Sequence, residues 1–369
     1  MPGDVETKQG VGRWNVVDGI QPDPLQTRDG KRASDNPSSP DGAPSYYDIS
    51  MLKPPVWTPE VGVYFFLGGL SAGAFTLSRL AERFGGPQYR ALTRNGTAIA
   101  ALAALPCAPL LIKDLGDPKR FHHMLRIWKP GSPMNLGSWA LTGYTAMSVL
   151  AELREWTRTR RKGQPLQGMT KTLDSTVGLA TDVLGIPFGL TLAAYTGVLL
   201  STTAVPLWSK NPYIGTLFSA SAVSAGAGAI RLTLEARGQA LAPDSTPTPA
   251  AHALHTMETA ARIAEAASQI AFIRKAGALA KPLTQGQYKT QYWGGAILSA
   301  LILPELLERV PAPPKLRPAL RIMAGTASLV GGFALRMAFV AAGRPSANDP
   351  EAARQGSRPK NGKSSSPPG

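Results

Sequence analysis

The chain has 369 residues, a net charge of +15, four histidines and one cysteine, Cys107. A single cysteine excludes an internal disulfide, a cysteine-ligated zinc site and an iron–sulfur cluster held by this chain. The basic surplus also argues against a nucleic-acid surface: Lys and Arg sit in short loops between apolar runs, with few aromatics among them, as membrane topology requires and phosphate tracking does not.

A mean hydropathy of −0.06 averages two regimes. Residues 1–55 and 343–369 are rich in Gly, Pro, Ser and charge, cannot bury enough apolar surface to offset chain entropy, and are expected to be disordered. Between them, 56–342 consists of long stretches almost free of charge, which predicts an all-α, polytopic membrane bundle of about eight helices rather than a large soluble helical core. Met1 to Glu6 opens no basic and then apolar leader, so the first membrane helix is expected to do the targeting.

In chain order, the first apolar run is Val61 to Leu80, where Gly69 and Gly73 form a small-xxx-small pair suited to close helix approach. The second, Asn95 to Ile112, contains Pro106 and Pro109. The third is about Leu136 to Leu150, and the fourth about Thr176 to Val205, with Pro187 expected to kink it. The fifth, Tyr213 to Ile230, is dominated by Ala, Ser and Gly. The sixth, Met257 to Ile273, carries Glu258, Arg262 and Glu265, and reads either as a span with its charges turned into the bundle or as an amphipathic helix at the interface. The seventh is Trp293 to Leu307 and the eighth Ala319 to Ala342.

Loop charge sets an orientation. The segments after the first and third helices carry Arg79, Arg83, Arg90, Arg94, Arg154, Arg158, Arg160, Arg161, Lys162 and Lys171, which places them in the cytoplasm. Both termini and the loop from Asp114 to Asn135 then face outward, although the basic residues of the C-terminal tail point the other way. Asp182, Glu265 and Arg336 would be costly facing lipid. They read either as a proton path or ion-pair network through the bundle, or as helix ends lying elsewhere, with Arg336 snorkelling to the surface.

The stretch from Lys113 to Trp139 is too rich in signals for a plain connector. Asp117-Pro118 reads as a helix cap and start, after which Phe121, Met124, Leu125 and Trp128 share one face of a short amphipathic helix. The opposite face carries Lys119, His122, His123 and Arg126, and Ser132-Pro133 opens the next helix.

This stretch resembles the NrfD/PsrC family, the membrane subunits of polysulfide-reductase-like enzymes. The resemblance rests on Asp114, Leu115, Gly116, Asp117, Pro118, Arg120 and Phe121, then Ser132, Pro133, Met134, Gly137, Ser138 and Trp139, with Tyr64 to Phe75 and Tyr195 to Trp208 as flanking matches. It extends over roughly Val56 to Ala342 and weakens after about Arg231. It implies an eight-helix anchor in the bacterial inner membrane that exchanges electrons with menaquinone or ubiquinone. It also implies an iron–sulfur partner and a molybdopterin catalytic partner, with no haem or metal in the anchor itself.

The residues read by themselves are compatible with that. A quinone needs an apolar slot near the membrane surface and polar groups for its two carbonyl oxygens. The candidates are Asp114, Asp117, Arg120, His122, His123, Asn135, Trp139 and Tyr195, with Asp182 and Glu265 as the candidate intramembrane path. Each has a plainer role: the aspartates as caps or ion pairs, the histidines as surface groups, Tyr195 as a packing residue, Trp139 and Trp208 as interfacial belt residues. Three rival functions remain. A haem-b cytochrome is disfavoured because His122, His123, His252 and His255 all fall in or beside loops. A solute or ion transporter would be expected to show inverted repeats. A purely structural anchor would hold membrane lipid and partner proteins without touching quinone.

Overall fold

A computed structural model describes residues 52–115, 118–129, 131–160, 168–241, 247–313 and 315–357. The expectations placed on Asp117 and on the polar stretches 1–51 and 358–369 lie outside the described residues. Within them the fold is helical, and the only extended pairing is an isolated bridge between Leu241 and Pro247.

Among the described residues eight long helices follow one another: α1 (Pro59–Gly85), α2 (Pro87–Asp114), α3 (Pro133–Arg160), α4 (Met169–Ser201), α5 (Tyr213–Ala236), α6 (Pro249–Ala276), α7 (291–309) and α8 (Arg317–Ala347). A short α9 (Pro350–Ser357) ends the described residues. Five of them, α1, α2, α4, α5 and α8, are long and apolar enough to cross a membrane. The tail expected from Gly343 onward still carries helix in its first part, because α8 runs on to Ala347 and α9 follows at Pro350–Ser357.

Prolines decide where these helices deviate. In α2 the regular helix stops at Ala104 and resumes at Cys107, since Pro106 has no N–H for the preceding turn. In α4 a π-helical turn, Thr181–Gly185, ends two residues before Pro187, whose missing N–H frees a carbonyl one turn back. In α7 the π-helical stretch Gln291–Ile302 likewise runs up to Pro304. The sixth helix begins earlier than its apolar run: Pro249 opens it, and the Thr248 hydroxyl accepts from the Ala251 N–H at 3.3 Å.

The centre of the bundle is α5, which packs on α1, α2, α4, α6 and α8. Its small residues allow this. A Cβ at Gly73 of α1 would overlap the Ala222 carbonyl of α5, and one at Gly226 of α5 would overlap the Ala74 amide of α1. Both obstacles are backbone atoms, which cannot rotate aside. Gly73→Val is therefore expected to cost at least about 3 kcal/mol, seen as loss of monodisperse protein and a lower unfolding midpoint in detergent.

Two expectations are overturned by burial. Arg336 does not snorkel. It is 1% exposed and donates to the Phe65, Phe218 and Gly332 carbonyls and to the Ser221 hydroxyl at 2.9–3.2 Å. Its guanidinium lies over the rings of Phe218 and Phe66, 5.2 and 6.0 Å from their centroids. Trp208 is not a belt residue. It is fully buried, stacked on Trp57 at 5.3 Å, with its indole N–H donated to the Phe339 carbonyl at 3.1 Å.

Candidate functional site

A cavity lies where α1, α2, α3 and α4 meet the loop between α2 and α3. It holds about 400 Å³ and is lined by Tyr64, Leu111, Asp114, Phe121, Leu125, Gly137, Ser138, Leu141, Thr142 and Tyr195, among others. The wall is mostly apolar, with a carboxylate and two phenols set into it.

Each of these groups is fixed by a local device. Asp114 ends α2 and accepts from the Thr58 amide at 3.2 Å and the Thr58 hydroxyl at 2.6 Å, which ties the end of α2 to the start of α1. Lys113 reinforces the tie through Glu60 at 2.7 Å, so Asp114 is not neutralised by its own neighbour as its position in sequence suggests. Tyr195 of α4 donates its hydroxyl to the Pro133 carbonyl at 2.6 Å, which ties α4 to the first turn of α3. A side chain at Gly137 would collide with the Tyr195 ring, so the glycine is what lets α3 and the phenol share this wall. Tyr64 of α1 is buried in the same wall and its hydroxyl has no hydrogen-bond partner among the described residues.

The loop over the cavity differs from the expected amphipathic helix. Among its described residues it makes two short turns, Pro118–Arg120 and His123–Arg126. The cause is Asn135. Its side-chain amide donates to the Met124 and Ile127 carbonyls at 2.7 and 2.8 Å, and its oxygen accepts from the Lys129 N–H at 2.8 Å. Those carbonyls are taken by a side chain instead of the next helical turn, so the helix ends at Arg126. Ser132 does cap α3, accepting from the Asn135 N–H at 3.5 Å.

The candidates therefore separate. Asp114 and Tyr195 line the cavity, with Phe121, Met124 and Leu125 dropped into it from the loop. Asn135 shapes the loop without lining the cavity. Arg120, His122 and His123 are exposed outside it, the two imidazoles edge to face at 4.4 Å. Trp139 is partly exposed and meets Trp128 edge-on at 5.9 Å, away from the cavity wall. Tyr64 belongs to a flanking match, but sequence reasoning does not single it out. Its signal is a lone phenol at the start of a small-residue helix face, one turn from Gly68. Asn135→Ala is expected to release three hydrogen bonds of about 1 kcal/mol each, and to speed amide exchange across 124–129 by roughly tenfold or more.

The two acids of the candidate path differ in their partners. Asp182 binds Arg79 at 2.7 Å, and Arg79 also pairs with Glu82, which further binds Arg154 at 2.7 Å and Arg158 at 2.8 Å. Asp174 joins the same two arginines, and buried Glu155 binds Arg90 at 2.8 Å. This is the ion-pair reading of Asp182, and it gathers the charged end of α3 into the bundle, which is why that helix outruns its apolar stretch. Glu265 of α6 is fully buried, with Arg336 acting on it electrostatically.

Across residues 48–345 the sequence matches the family model described as "Polysulphide reductase, NrfD". The chain belongs to the NrfD family. Among NrfD relatives, Protein NrfD of Escherichia coli K12 is 29% identical over 307 residues, covering 78% of this chain and 95% of its own length. A polysulfide reductase chain of Wolinella succinogenes is 30% identical over 187 residues, 48% of the present sequence and 58% of its own. A selenate reductase subunit of Mesobacillus selenatarsenatis is 28% identical over 131 residues, 34% of the present sequence and 30% of its own. With five helices fit to cross a membrane, this NrfD protein is a multi-pass membrane protein of a family that supplies subunits to oxidoreductase complexes.

Proposed function

We propose that this protein is the quinone-reactive membrane subunit of a respiratory oxidoreductase complex, with the cavity under the α2–α3 loop as its quinone site. The observation that carries the reading is the cavity itself: about 400 Å³, apolar, and edged by Asp114, Tyr64 and Tyr195. That volume and lining suit a quinone ring, whose chemistry is the gain or loss of two electrons and two protons at its carbonyl oxygens. Leu111, Leu125 and Leu141 would hold the ring and keep water away. The Asp114 carboxylate can take or return a proton, and the Tyr64 hydroxyl, without a partner among the described residues, can donate to an oxygen, while Tyr195 is already committed to Pro133.

Relatives named as parts of polysulfide and selenate reductases support an iron–sulfur partner and a molybdopterin catalytic partner. In this reading the partners dock over the α2–α3 loop, on the extracytoplasmic side of a bacterial inner membrane. All eight long helices span, the sixth with Glu258, Arg262 and Glu265 turned inward, where all three are buried. The arginine-rich ends of α1, α3, α5 and α7 lie in the cytoplasm, as loop charge demands.

The test is affinity purification of the tagged protein from mildly solubilised membranes, with extraction of bound quinone. Recovery of an iron–sulfur protein, a molybdopterin protein and menaquinone or ubiquinone is the expected result. The tagged protein alone, without quinone or redox partner, would overturn the proposal in favour of a transporter or a plain anchor.

A further inference from the structure

A second cavity, also of about 400 Å³, lies at the opposite end of the bundle, between the end of α5, the start of α6, and the turn joining α7 to α8. The start of α5 packs on α4 near the first cavity, where a side chain at Gly197 would meet Ile214. Arg231 is 18 residues further along α5 than Tyr213, and at 1.5 Å per residue this puts the second cavity roughly 27 Å away. Nothing in the proposed electron route uses it.

Its wall holds four arginines, Arg231, Arg309, Arg317 and Arg321, and His255, against one carboxylate, Glu308. Three of the arginines have acidic neighbours: Arg231 binds Glu258 at 2.9 Å and Glu308 at 2.5 Å, Arg309 binds Glu305 at 2.6 Å, and Arg321 binds Glu235 at 3.1 Å. Arg317 makes no ion pair among the described residues and donates only to the Ala312 carbonyl at 3.2 Å. Arg231 is 4% exposed, and its Nε has no hydrogen-bond partner among the described residues although it lines the cavity. A buried donor without an acceptor, beside a cation without an acid, marks a place built for an anion.

The surroundings identify the anion's carrier. Leu306, Val310, Leu316 and Met323 are all exposed around this end of α7 and α8, and α8 is one of the membrane-crossing helices. A ligand that offers a phosphate to arginines and hydrocarbon to that flank is an anionic phospholipid at the membrane surface. We infer that this cavity binds the phosphate headgroup of an anionic phospholipid, with the acyl chains lying along the start of α8. The inference rests on the membrane placement of α8 and not on the quinone proposal.

The test is native mass spectrometry of the purified full-length protein titrated with phosphatidylglycerol or phosphatidylcholine, in parallel with the double variant Arg309→Gln/Arg317→Gln. Both side chains are exposed and neither lines the first cavity, so the variant should keep its unfolding midpoint and whatever quinone the parent retains. The expected result is preferential phosphatidylglycerol binding that the variant weakens by roughly 30-fold, from about 1 kcal/mol for each arginine near a headgroup. Equal binding of the two lipids, or a variant that binds phosphatidylglycerol as the parent does, would overturn the inference. Inorganic phosphate serves as the competitor. If millimolar phosphate displaces the lipid in the parent, the ligand is a free phosphate and the lipid assignment falls; if it does not, the acyl flank contributes as inferred.

Discussion

Replacing Ser138 with tryptophan is expected to lower quinol-dependent electron transfer through this protein by about 100-fold or more, a loss near 2.7 kcal/mol of binding. Ser138 lines the first cavity, and its hydroxyl only donates back within α3 to the Met134 carbonyl at 3.0 Å, so removing it leaves no partner stranded. The added indole enters a mostly apolar space and occupies the room a quinone ring would take. The tie between Asp114 and Thr58 and the contact from Tyr195 to Pro133 stay in place, so the loop and any partner seated on it should be retained. The assay is the quinol-to-acceptor rate in membranes, alongside the amount of iron–sulfur protein recovered with the tagged protein. An unchanged rate would move the quinone out of this cavity. A lost rate with lost partner would mean only that the loop had been disturbed.

Arg336→Met is expected to cost roughly 2–5 kcal/mol of stability. The lower end follows from four hydrogen bonds at the modest value found inside membranes, the upper from breaking a buried charge interaction by removing one member. The guanidinium is the hub for α1, α5 and α8 through Phe65, Phe218, Ser221 and Gly332. Its removal also strands Glu265, the acid whose charge acts on it. The double variant Arg336→Met/Glu265→Gln should therefore be less destabilised than the sum of the single ones, by about 1 kcal/mol or more. Detergent unfolding midpoints for the four proteins measure this. Strict additivity would show that the two charges do not depend on each other.

Much of this architecture is readable from the pattern of apolar runs, because a span must hide every backbone polar group within its own helix and so declares itself over some twenty residues. The cavity's place is readable too, from the crowding of caps, acids and aromatics between Lys113 and Trp139. What escapes are interactions between distant segments. Asn135 reads as a group for quinone, and instead it ends the loop helix by seizing two carbonyls; local periodicity from Phe121 to Trp128 carries no trace of that competitor. The third helix reads as ten residues short, ending at Leu150 and not Arg160, because Arg154, Glu155 and Arg158 look like a loop until their partners on α1, α2 and α4 are known. The burial of Arg336 and Trp208 is of the same kind: both depend on carbonyls contributed from far along the sequence.

The close approach of α1 and α5 has a consequence for how the protein is made. Gly73 and Gly226 meet backbone to backbone but are 153 residues apart. At roughly 5–20 residues per second, α1 waits on the order of 10–30 s in the bilayer before its principal neighbour is synthesised. During that interval the Gly69–Gly73 face lies open to whatever helix passes, and the Phe65 carbonyl waits still longer for Arg336. The first four helices must therefore hold together on their own, through contacts such as Ser71 to Tyr144 at 2.7 Å and Arg79 to Asp182, while keeping one side of α1 vacant. The biogenesis of this protein is thus also a problem of keeping a groove unoccupied until α5 arrives.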